Sequence, residues 1–551
     1  MKKNNSLKIR FLGGVGEIGK NMTAIEYGKD IIVIDAGLGF PSSDMPGVDV
    51  VIPDITYLIQ NKDRVRAVFL THGHEDHIGS LPYLLKEINV PVYGTKLTLT
   101  LAENKIREHR VKSCNLNCVY PKSVVKAGCF SVEFINVNHS IAGSVALAIT
   151  TPVGVILHTG DFKVDLTPVG GEIIDLARLT EIGKKGVNLM LCESTNVERD
   201  GYSMSESVVL DNLDRLFIQN KTRRIIVATF ATNVYRLQQI LNLASRHKRK
   251  VAISGRSMLN VIEAASKIGE LTVPQNTIVD ITKIKNIADK DLVIIATGSQ
   301  GEPMSALSRM AYNEFDQVSI GKNDTIIISA SPIPGNERSV YSVINNLYRN
   351  GAEVVYESLE NIHASGHACR EELKIMHSII KPKFFVPVHG EYRHLKKHLD
   401  LAKELGMREG NMVLCELGDT IELLPKSIKK GERIQAGNRY VDGLAVDETV
   451  SVIRERRKIS DEGIVVVVCC VSVESGTVLQ EPDIIAKGSL LTDEQIREMK
   501  LLVLKTLDSY NFKKVGDAVV IRNAIRKKLR DYVIKKTKKD PMILPMITEL
   551  W

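Results

Sequence analysis

The chain has 551 residues, 44% of them hydrophobic and 25% charged, with a formal net charge of +8. That length holds about three domains with cores of their own, and the balance excludes a disordered or fibrous chain. A mildly basic surface suits a polyanionic substrate, and a single tryptophan, Trp551, argues against binding chiefly by aromatic stacking.

In chain order, Met1-Lys2-Lys3-Asn4-Asn5-Ser6 leads into a strand, Lys8–Leu12, and not into an apolar signal core. The turn Gly13-Gly14-Val15-Gly16 fails the nucleotide-loop spacings; it is expected to let backbone pass close to the site that follows. Thr23–Tyr27 and Ile31–Asp35 read as a hairpin around Gly28-Lys29-Asp30. Residues 40–53 are irregular, and Gly47-Val48-Asp49 reads either as a solvated turn or as oxygens for a hard cation. The apolar run Ala67-Val68-Phe69-Leu70 then stops at Thr71-His72-Gly73-His74-Glu75-Asp76-His77. A strand that ends in such a cluster puts a loop at the carboxyl edge of a sheet, where open α/β sheets bind ligands. His72, His74, Asp76 and His77 offer the nitrogen and oxygen donors that zinc prefers. A solvated polar loop is the plain alternative, but H-x-H-x-D-H after a strand is far more specific.

One loop cannot close two metal sites. After a helix at Ser80–Glu87, a strand at Val92–Gly94 and a helix at Lys96–Arg107, short strands run from Leu116 to Leu157. His139 ends the run Phe134–Asn138, and Asp161 ends Gly154–Gly160. Much later, His389 ends Phe384–Val388. Each is a donor at the carboxyl end of a strand. To about Gly201 the pattern fits half of a sandwich of two sheets with outer helices.

Ser205–Gln219 is an amphipathic helix, and from Arg224 to Val355 strands alternate with helices at βαβ spacing. Ile225–Thr229 precedes the helix Tyr235–Ser245, Val251–Ser254 precedes Met258–Ile268, and Leu292–Thr297 precedes Met304–Ala311. Because His389 belongs with the early donors, the first fold must resume afterwards, and this unit is an insertion. The expected division is 1–205 and 361–425 for the first fold, 206–360 for the insertion, 426–455 for a polar linker and 456–551 for a small α/β tail. The tail is built on Gly463–Val473, Thr492–Leu507 and Gly516–Thr537. Residues 521–540 hold nine Lys or Arg against two Asp, which suits a solvated helix face or an RNA-contacting one. Eight cysteines without a repeated spacing, at 114, 118, 129, 192, 369, 415, 469 and 470, read as free thiols. No apolar run is long enough for a membrane span, so a cytoplasmic chain with no membrane partner is expected.

The order H-x-H-x-D-H, His139, Asp161, His389 resembles the metallo-β-lactamase superfamily. Asp35 in Ile34-Asp35-Ala36-Gly37 matches the acid that supports the metal loop from behind. The insertion resembles the beta-CASP group, with Glu193 in Leu191-Cys192-Glu193-Ser194-Thr195-Asn196 and His367 in His363-Ala364-Ser365-Gly366-His367. Phe230–Arg236, Thr297–Pro303, Ser331–Asn336 and Lys538–Pro545 look like the ribonuclease J family, and this resemblance covers essentially the whole chain. The chain departs from it at three places: Tyr235 stands for an expected His, Glu193 for the commoner Asp, and Ile141-Ala142-Gly143-Ser144 lacks the usual Pro-Asp. None removes a metal donor.

The resemblance implies an α/β chain: a metallo-β-lactamase αββα sandwich with an inserted beta-CASP α/β domain and a small C-terminal α/β domain. It assigns His72, His74 and His139 to one ion, Asp76, His77 and His389 to another, and Asp161 as the bridge. The ions would be zinc, with manganese or magnesium as alternatives, and would activate water and neutralise the attacked phosphate. Asp76, His367 and Glu193 are the catalytic candidates, His367 protonating the leaving oxygen or holding phosphate and Glu193 orienting it. Ala231, Thr232, Asn233, His363, Ala364, Ser365, Gly366 and His367 would hold the 5′-monophosphate end of single-stranded RNA. The implied activity is 5′→3′ exoribonuclease and endoribonuclease in RNA maturation and decay. A homodimer or homotetramer, partners in an RNA-degradation complex and a structural calcium at Gly47, Asp49 and Asp442 complete the expectation. Two rivals are a hydrolase of small esters or lactams and a non-catalytic RNA-binding scaffold.

Overall fold

The computed structural model describes residues 6–550 apart from 43, 301, 303, 333–335, 444, 447–449, 473, 474, 476 and 511–516. Gly301, Pro303, Ile333, Pro334 and Gly335 of the insertion motifs therefore lie outside the described residues, as do Val473 and Gly516 of the tail. The chain divides into two compact units, Met1–Phe40 with Val51–Asn438, and Pro41–Val50 with Arg439–Trp551.

In the first unit, an eight-stranded sheet runs in the order Ser427–Lys430, Thr420–Leu424, Leu7–Gly13, Met22–Tyr27, Asp30–Ile34, Val65–Phe69, Val92–Gly94, Leu116–Cys118. A six-stranded sheet runs Phe384–Val388, Leu189–Glu193, Gly154–His158, Val145–Thr151, Phe130–Asn136, Val124–Ala127. Alternation along the strands decides what each face buries. Phe130, Val132 and Phe134 enter the core between the sheets with Phe11, Ile32 and Phe69, whereas Ile135 turns to the outer face. The rings of Phe69 and Phe134 meet across the sheets at 6.0 Å, and truncating Phe134 to alanine would cost about 3–5 kcal/mol. Helices Leu81–Glu87 and Lys96–Glu108 cover the outside of the larger sheet through Leu84, Leu97 and Ala102. Leu176–Lys185, Arg370–Ile380 and Tyr392–Glu404 cover the other through Leu179, Leu373 and Leu401.

The insertion is a parallel sheet in the order Ile278–Val279, Lys250–Ser254, Leu292–Ala296, Arg224–Ala228, Asp324–Ile328, Glu353–Tyr356. Its central strands are buried on both faces, which is why they read as continuous apolar runs. Ile225 and Val227 pack with the helices Glu206–Gln219, Val234–Arg246 and Arg256–Ile268, while Ile226 and Ala228 pack with Ala306–Ala311 and Glu337–Arg349. The first fold then resumes: Phe384–Val388 pairs in parallel with Leu189–Glu193, Val388 beside Glu193. The insertion is thus bracketed by two neighbouring strands, as the position of His389 predicts.

The expected linker at 426–455 is corrected at both ends. Ser427–Lys430 is an edge strand paired with Thr420–Leu424, and a helix, Val450–Glu462, begins before the linker was to end. Lysines on an exposed edge are a device against further pairing, and in the sequence they read as a polar connection.

In the second unit, Ile464–Ser472 is the middle strand, antiparallel to Thr477–Lys487 and parallel to Met542–Leu550. Val465, Val467, Cys469 and Val471 face the helices Asp493–Leu507 and Asp517–Thr537, whose Ile521, Ile525, Leu529 and Val533 recur every fourth residue. The opposite sheet face is open: Val468, Ile485, Leu544 and Met546 are 38%, 46%, 39% and 58% exposed. The basic run 521–540 is divided. Arg530 and Lys458 pair with Asp540 at 2.7 and 3.0 Å, and Lys536 pairs with Glu498 at 3.2 Å, while Lys527, Lys528 and Lys535 face solvent. Among the described residues, no helix is long and apolar enough to cross a membrane.

Candidate metal centre

The seven donors expected from the sequence converge at the carboxyl ends of the strands. His72, His74 and His139 form one cluster, and Asp76, His77, Asp161 and His389 form another, with the ligand atoms of each within 4.8 Å of one another. His74 Nδ1 lies 3.1 Å from His72 Nε2 and 3.0 Å from His139 Nε2. In the second cluster, Asp76 Oδ2 lies 3.1 Å from His389 Nε2 and 3.5 Å from His77 Nε2. Asp161 Oδ2 reaches both, 3.1 Å from His77 Nε2 and 3.7 Å from His72 Nε2, which is where a bridging carboxylate belongs.

The outer nitrogens decide what faces inward. His139 Nδ1 donates to the carbonyl of Gly366 at 2.6 Å; a carbonyl only accepts, so in neutral His139 the Nε2 carries a lone pair. Thr71 donates its hydroxyl hydrogen to Asp35 Oδ2 at 2.8 Å and so accepts from His72 Nδ1 at 3.1 Å. His72 Nε2 therefore also presents a lone pair. His77 Nδ1 donates to Asp35 Oδ2 at 2.8 Å, and His389 Nδ1 lies 2.8 Å from Thr195 Oγ1. Partners of this kind fix ring orientation and tautomer for a metal.

Electrostatics point the same way. Burial holds His72 and His139 well below the ordinary histidine value and His74 down to about 4, so these rings stay neutral. Burial opposes the charges of Asp161 and His77. Even so, His389 and His77 hold Asp161 well below the usual carboxylate range, and Asp161, Asp76 and Asp35 push His77 well up. The lone pairs of His72 and His139 beside ionised carboxylates, with a proton on His77 Nε2 that a cation would displace, form a donor set that fits two divalent ions.

The backbone is shaped to the task. His389 holds a left-handed φ of 52°, and its N–H donates to the Gly14 carbonyl at 2.7 Å. The glycine turn thus passes beside the site as its sequence suggests. Beside the second cluster stands His367, 23% exposed, its Nδ1 2.8 Å from Glu193 Oε2. Burial disfavours its charge, yet Glu193 raises it to about 9. Glu193 is itself fixed by the N–H of Phe162 at 2.8 Å.

The expected substrate residues are placed unevenly. Ser365 Oγ accepts from Asn196 Nδ2 at 2.7 Å and from the N–H of His367 at 3.3 Å. Ala364 is fully buried. Asn233 is buried and caps the helix Val234–Arg246, its side chain accepting from the N–H of Arg236 at 3.0 Å. Ala231 and Thr232 form the turn before that cap. His363 Nδ1 is buried without a hydrogen-bond partner among the described residues, its ring 6.4 Å from that of Phe230. Two residues with roles here were given none in the sequence, Thr195, which orients His389, and Asn196, which holds Ser365; Gly366, expected at the substrate, turns its carbonyl to His139. Thr195 and Asn196 were visible as polar residues directly after the strand carrying Glu193.

The second unit does not offer an open calcium site. Asp442 pairs with Arg456 at 2.7 Å, the Gly47 carbonyl accepts from Arg456 at 3.4 Å, and Asp49 accepts from the N–H of Gly443 at 2.7 Å. The Arg456 guanidinium occupies the Gly47 and Asp442 oxygens and a backbone N–H occupies Asp49, so the residues as arranged do not fit the cation.

The two-sheet sandwich with its donor loop and inserted α/β unit defines a metallo-β-lactamase-type hydrolase with a beta-CASP insertion. Residues 15–165 match the metallo-beta-lactamase superfamily, 222–347 the ribonuclease J beta-CASP domain, 351–413 a Zn-dependent metallo-hydrolase RNA specificity domain, and 451–550 the ribonuclease J C-terminal domain. The chain is 39% identical to ribonuclease J2 of Bacillus subtilis over 562 residues, covering 100% of both. It is 41% identical to ribonuclease J of Synechocystis over 99% of this chain and 87% of that one. With ribonuclease J of Thermus thermophilus it shares 39% over 98% and 94%. A crystal structure of a protein of unknown function from Enterococcus faecalis shares the fold at a TM-score of 0.54 and 20% identity, over 76% of this chain and 100% of that one. The chain belongs to the ribonuclease J family.

Proposed function

We propose that the protein is a two-metal ribonuclease that degrades single-stranded RNA from a 5′-monophosphate end and also cuts internally. Zinc is the proposed ion at both positions. The observation that carries this reading is the placement of His367, whose ring lies 4.9 Å from that of His139 and 5.5 Å from that of His389. An imidazole paired with a buried carboxylate beside the donor clusters has no use in a bare esterase centre, but it suits the leaving oxygen of a phosphodiester. A non-catalytic scaffold would not keep all seven donors converged.

When bound, two divalent ions supply an acidified water and neutralise the phosphate under attack. The chain's own residues do the rest. His72, His74, His139, Asp76, His77, Asp161 and His389 hold the donor positions, kept in line by Asp35, Thr195 and the Gly366 carbonyl. His367, held charged by Glu193, places a proton at Nε2 for the departing ribose 3′-oxygen. The Ser365-Gly366-His367 turn fixes the terminal phosphate, so the next phosphodiester lies at the centre, and such orientation lowers the barrier.

The open face of the tail sheet, with Val468, Ile485, Leu544 and Met546 exposed on one side, supports assembly of a homo-oligomer through that unit. Apolar patches of this kind mark interaction surfaces. The deciding experiment is a time course on three RNAs that differ only at the 5′ end. The monophosphate should be degraded fastest, ahead of triphosphate and hydroxyl, and Ser365→Ala should erode that preference more than internal cleavage. Equal exonucleolytic rates on all three ends would refute the pocket.

A further inference from the structure

On the outer side of the six-stranded sheet, a cavity of about 540 Å³ opens beyond the C-terminal ends of Arg370–Ile380 and Tyr392–Glu404. It is no part of the metal centre: none of the seven donors, nor His367 or Glu193, lines it. Its wall combines Lys381, Lys383 and Arg408 with Asn411 and the apolar Met407 and Leu405, and includes no carboxylate.

The acids close by in sequence are already engaged. Glu404 pairs with Arg370 at 2.5 Å, and Glu409 pairs with Lys403. Lys383 donates to the Pro425 carbonyl. Lys381 and Arg408 have no carboxylate partner among the described residues, and both are exposed. Lys381 is presented by a left-handed turn, φ 45°, at the end of its helix.

The floor is rigid. His377, 6% exposed, lines the cavity and shares a proton with His398 across 3.1 Å, and His398 Nδ1 lies 2.9 Å from Ser194 Oγ. Lys381 and Arg408, without carboxylate partners among the described residues, line the same cavity as the apolar Met407 and Leu405 and the buried His377, and such a lining suits an anion with an apolar body. The volume suits a single nucleotide better than a lone inorganic anion.

We propose that this cavity is a second, non-catalytic binding site for a phosphorylated small molecule of the nucleoside 5′-monophosphate class, its phosphate on Lys381 and Arg408 and its base against Met407 and Leu405. The site stands on its own residues; the ribonuclease reading adds only that such mononucleotides would be products of the chain's own reaction.

The test uses the purified full-length protein with AMP as probe in titration calorimetry, the metal centre being filled first by a 5′-phosphorylated, phosphorothioate-linked RNA. AMP is expected to bind once per chain with that RNA in place, and adenosine to bind too weakly to detect. The double variant Lys381→Ala, Arg408→Ala should weaken AMP by about tenfold or more, the scale of losing charge-assisted contacts, with RNA turnover in the absence of AMP unchanged. Met407→Glu, which adds a charge to the wall, should weaken AMP as well. Absence of AMP binding, complete displacement of AMP by the RNA, or equal affinity in all variants would each overturn the proposal. So would binding seen only with an oligonucleotide. None of these outcomes bears on whether the metal centre cleaves RNA.

Discussion

His139 donates from Nδ1 to the carbonyl of Gly366 at 2.6 Å, joining a donor of the first cluster to the segment that returns from the insertion. A Cβ on Gly366 would lie 2.6 Å from His139 Nδ1 and Cε1 and 2.8 Å from Ser140 Oγ. Gly366→Ala must therefore move the ring or the carbonyl that orients it. The expected loss is about 10–100-fold in metal affinity or turnover, read as metal content after dialysis together with initial rates. Wild-type values for both would mean that the contact does not hold the donor in place.

His74 stands between the other two imidazoles of its cluster and is kept neutral by burial. His74→Ala is expected to abolish hydrolysis while most RNA affinity remains, because binding rests mainly on phosphate contacts elsewhere. Near-normal turnover of the variant after chelation and resupply of zinc or manganese would sink the two-ion assignment.

Glu206 links the sandwich to the insertion. Burial alone would raise its carboxyl, but Arg236, 2.6 Å away, and Lys163, 3.9 Å away, hold it below its ordinary 4.5. A depressed folded pKa gives stability that is complete above the unfolded value and is lost as the pH falls through the folded one. The melting temperature of the first unit should therefore drop below about pH 4.5, the model-compound range of Glu. Glu206→Gln leaves Arg236, which is fully buried, without its counter-charge. It should cost about 3–5 kcal/mol at neutral pH and flatten the acid limb of the profile. An unchanged acid limb would contradict this account.

Met546 sits opposite Val468 on the open face of the tail sheet. If that face joins chains, Met546→Asp should reduce the mass measured by light scattering without altering the circular dichroism spectrum. Deletion after about Glu455 should act in the same direction and weaken activity. An unchanged mass in both would place the assembly surface elsewhere.

The metal centre was legible because its chemistry needs particular side chains at strand ends. His72, His74, Asp76, His77, His139, Asp161 and His389 each follow an apolar run, and the structure brings all seven together. The insertion was legible for the same reason, since His389 had to return to the early donors. What escaped were roles carried by backbone or by local geometry. The Gly366 carbonyl has no side-chain signature, and the capping role of Asn233 was not read from the sequence. Thr477–Lys487, with Gln480, Glu481 and Pro482 in its course, lacks the continuous apolar run that marks its neighbour Ile464–Ser472. Nothing nearby in sequence announced that Arg456 would reach Asp442 and the Gly47 carbonyl, two of the expected calcium oxygens.

The insertion leaves and rejoins the sandwich at adjacent parallel strands, with Glu193 and Val388 side by side. Its two ends are therefore stitched together by the host sheet's own hydrogen bonds, and the span between them closes on itself like a cassette. Such a join tolerates changes of content and length provided that the contacts of Glu206 with Lys163 and of Gly366 with His139 are kept. Evolution could thus rework which polymer end the enzyme accepts while the ion-holding scaffold kept its dimensions. Domain-exchange chimaeras that keep Glu193, His367 and the helix Arg370–Ile380 with the host are the natural way to recombine specificity with chemistry.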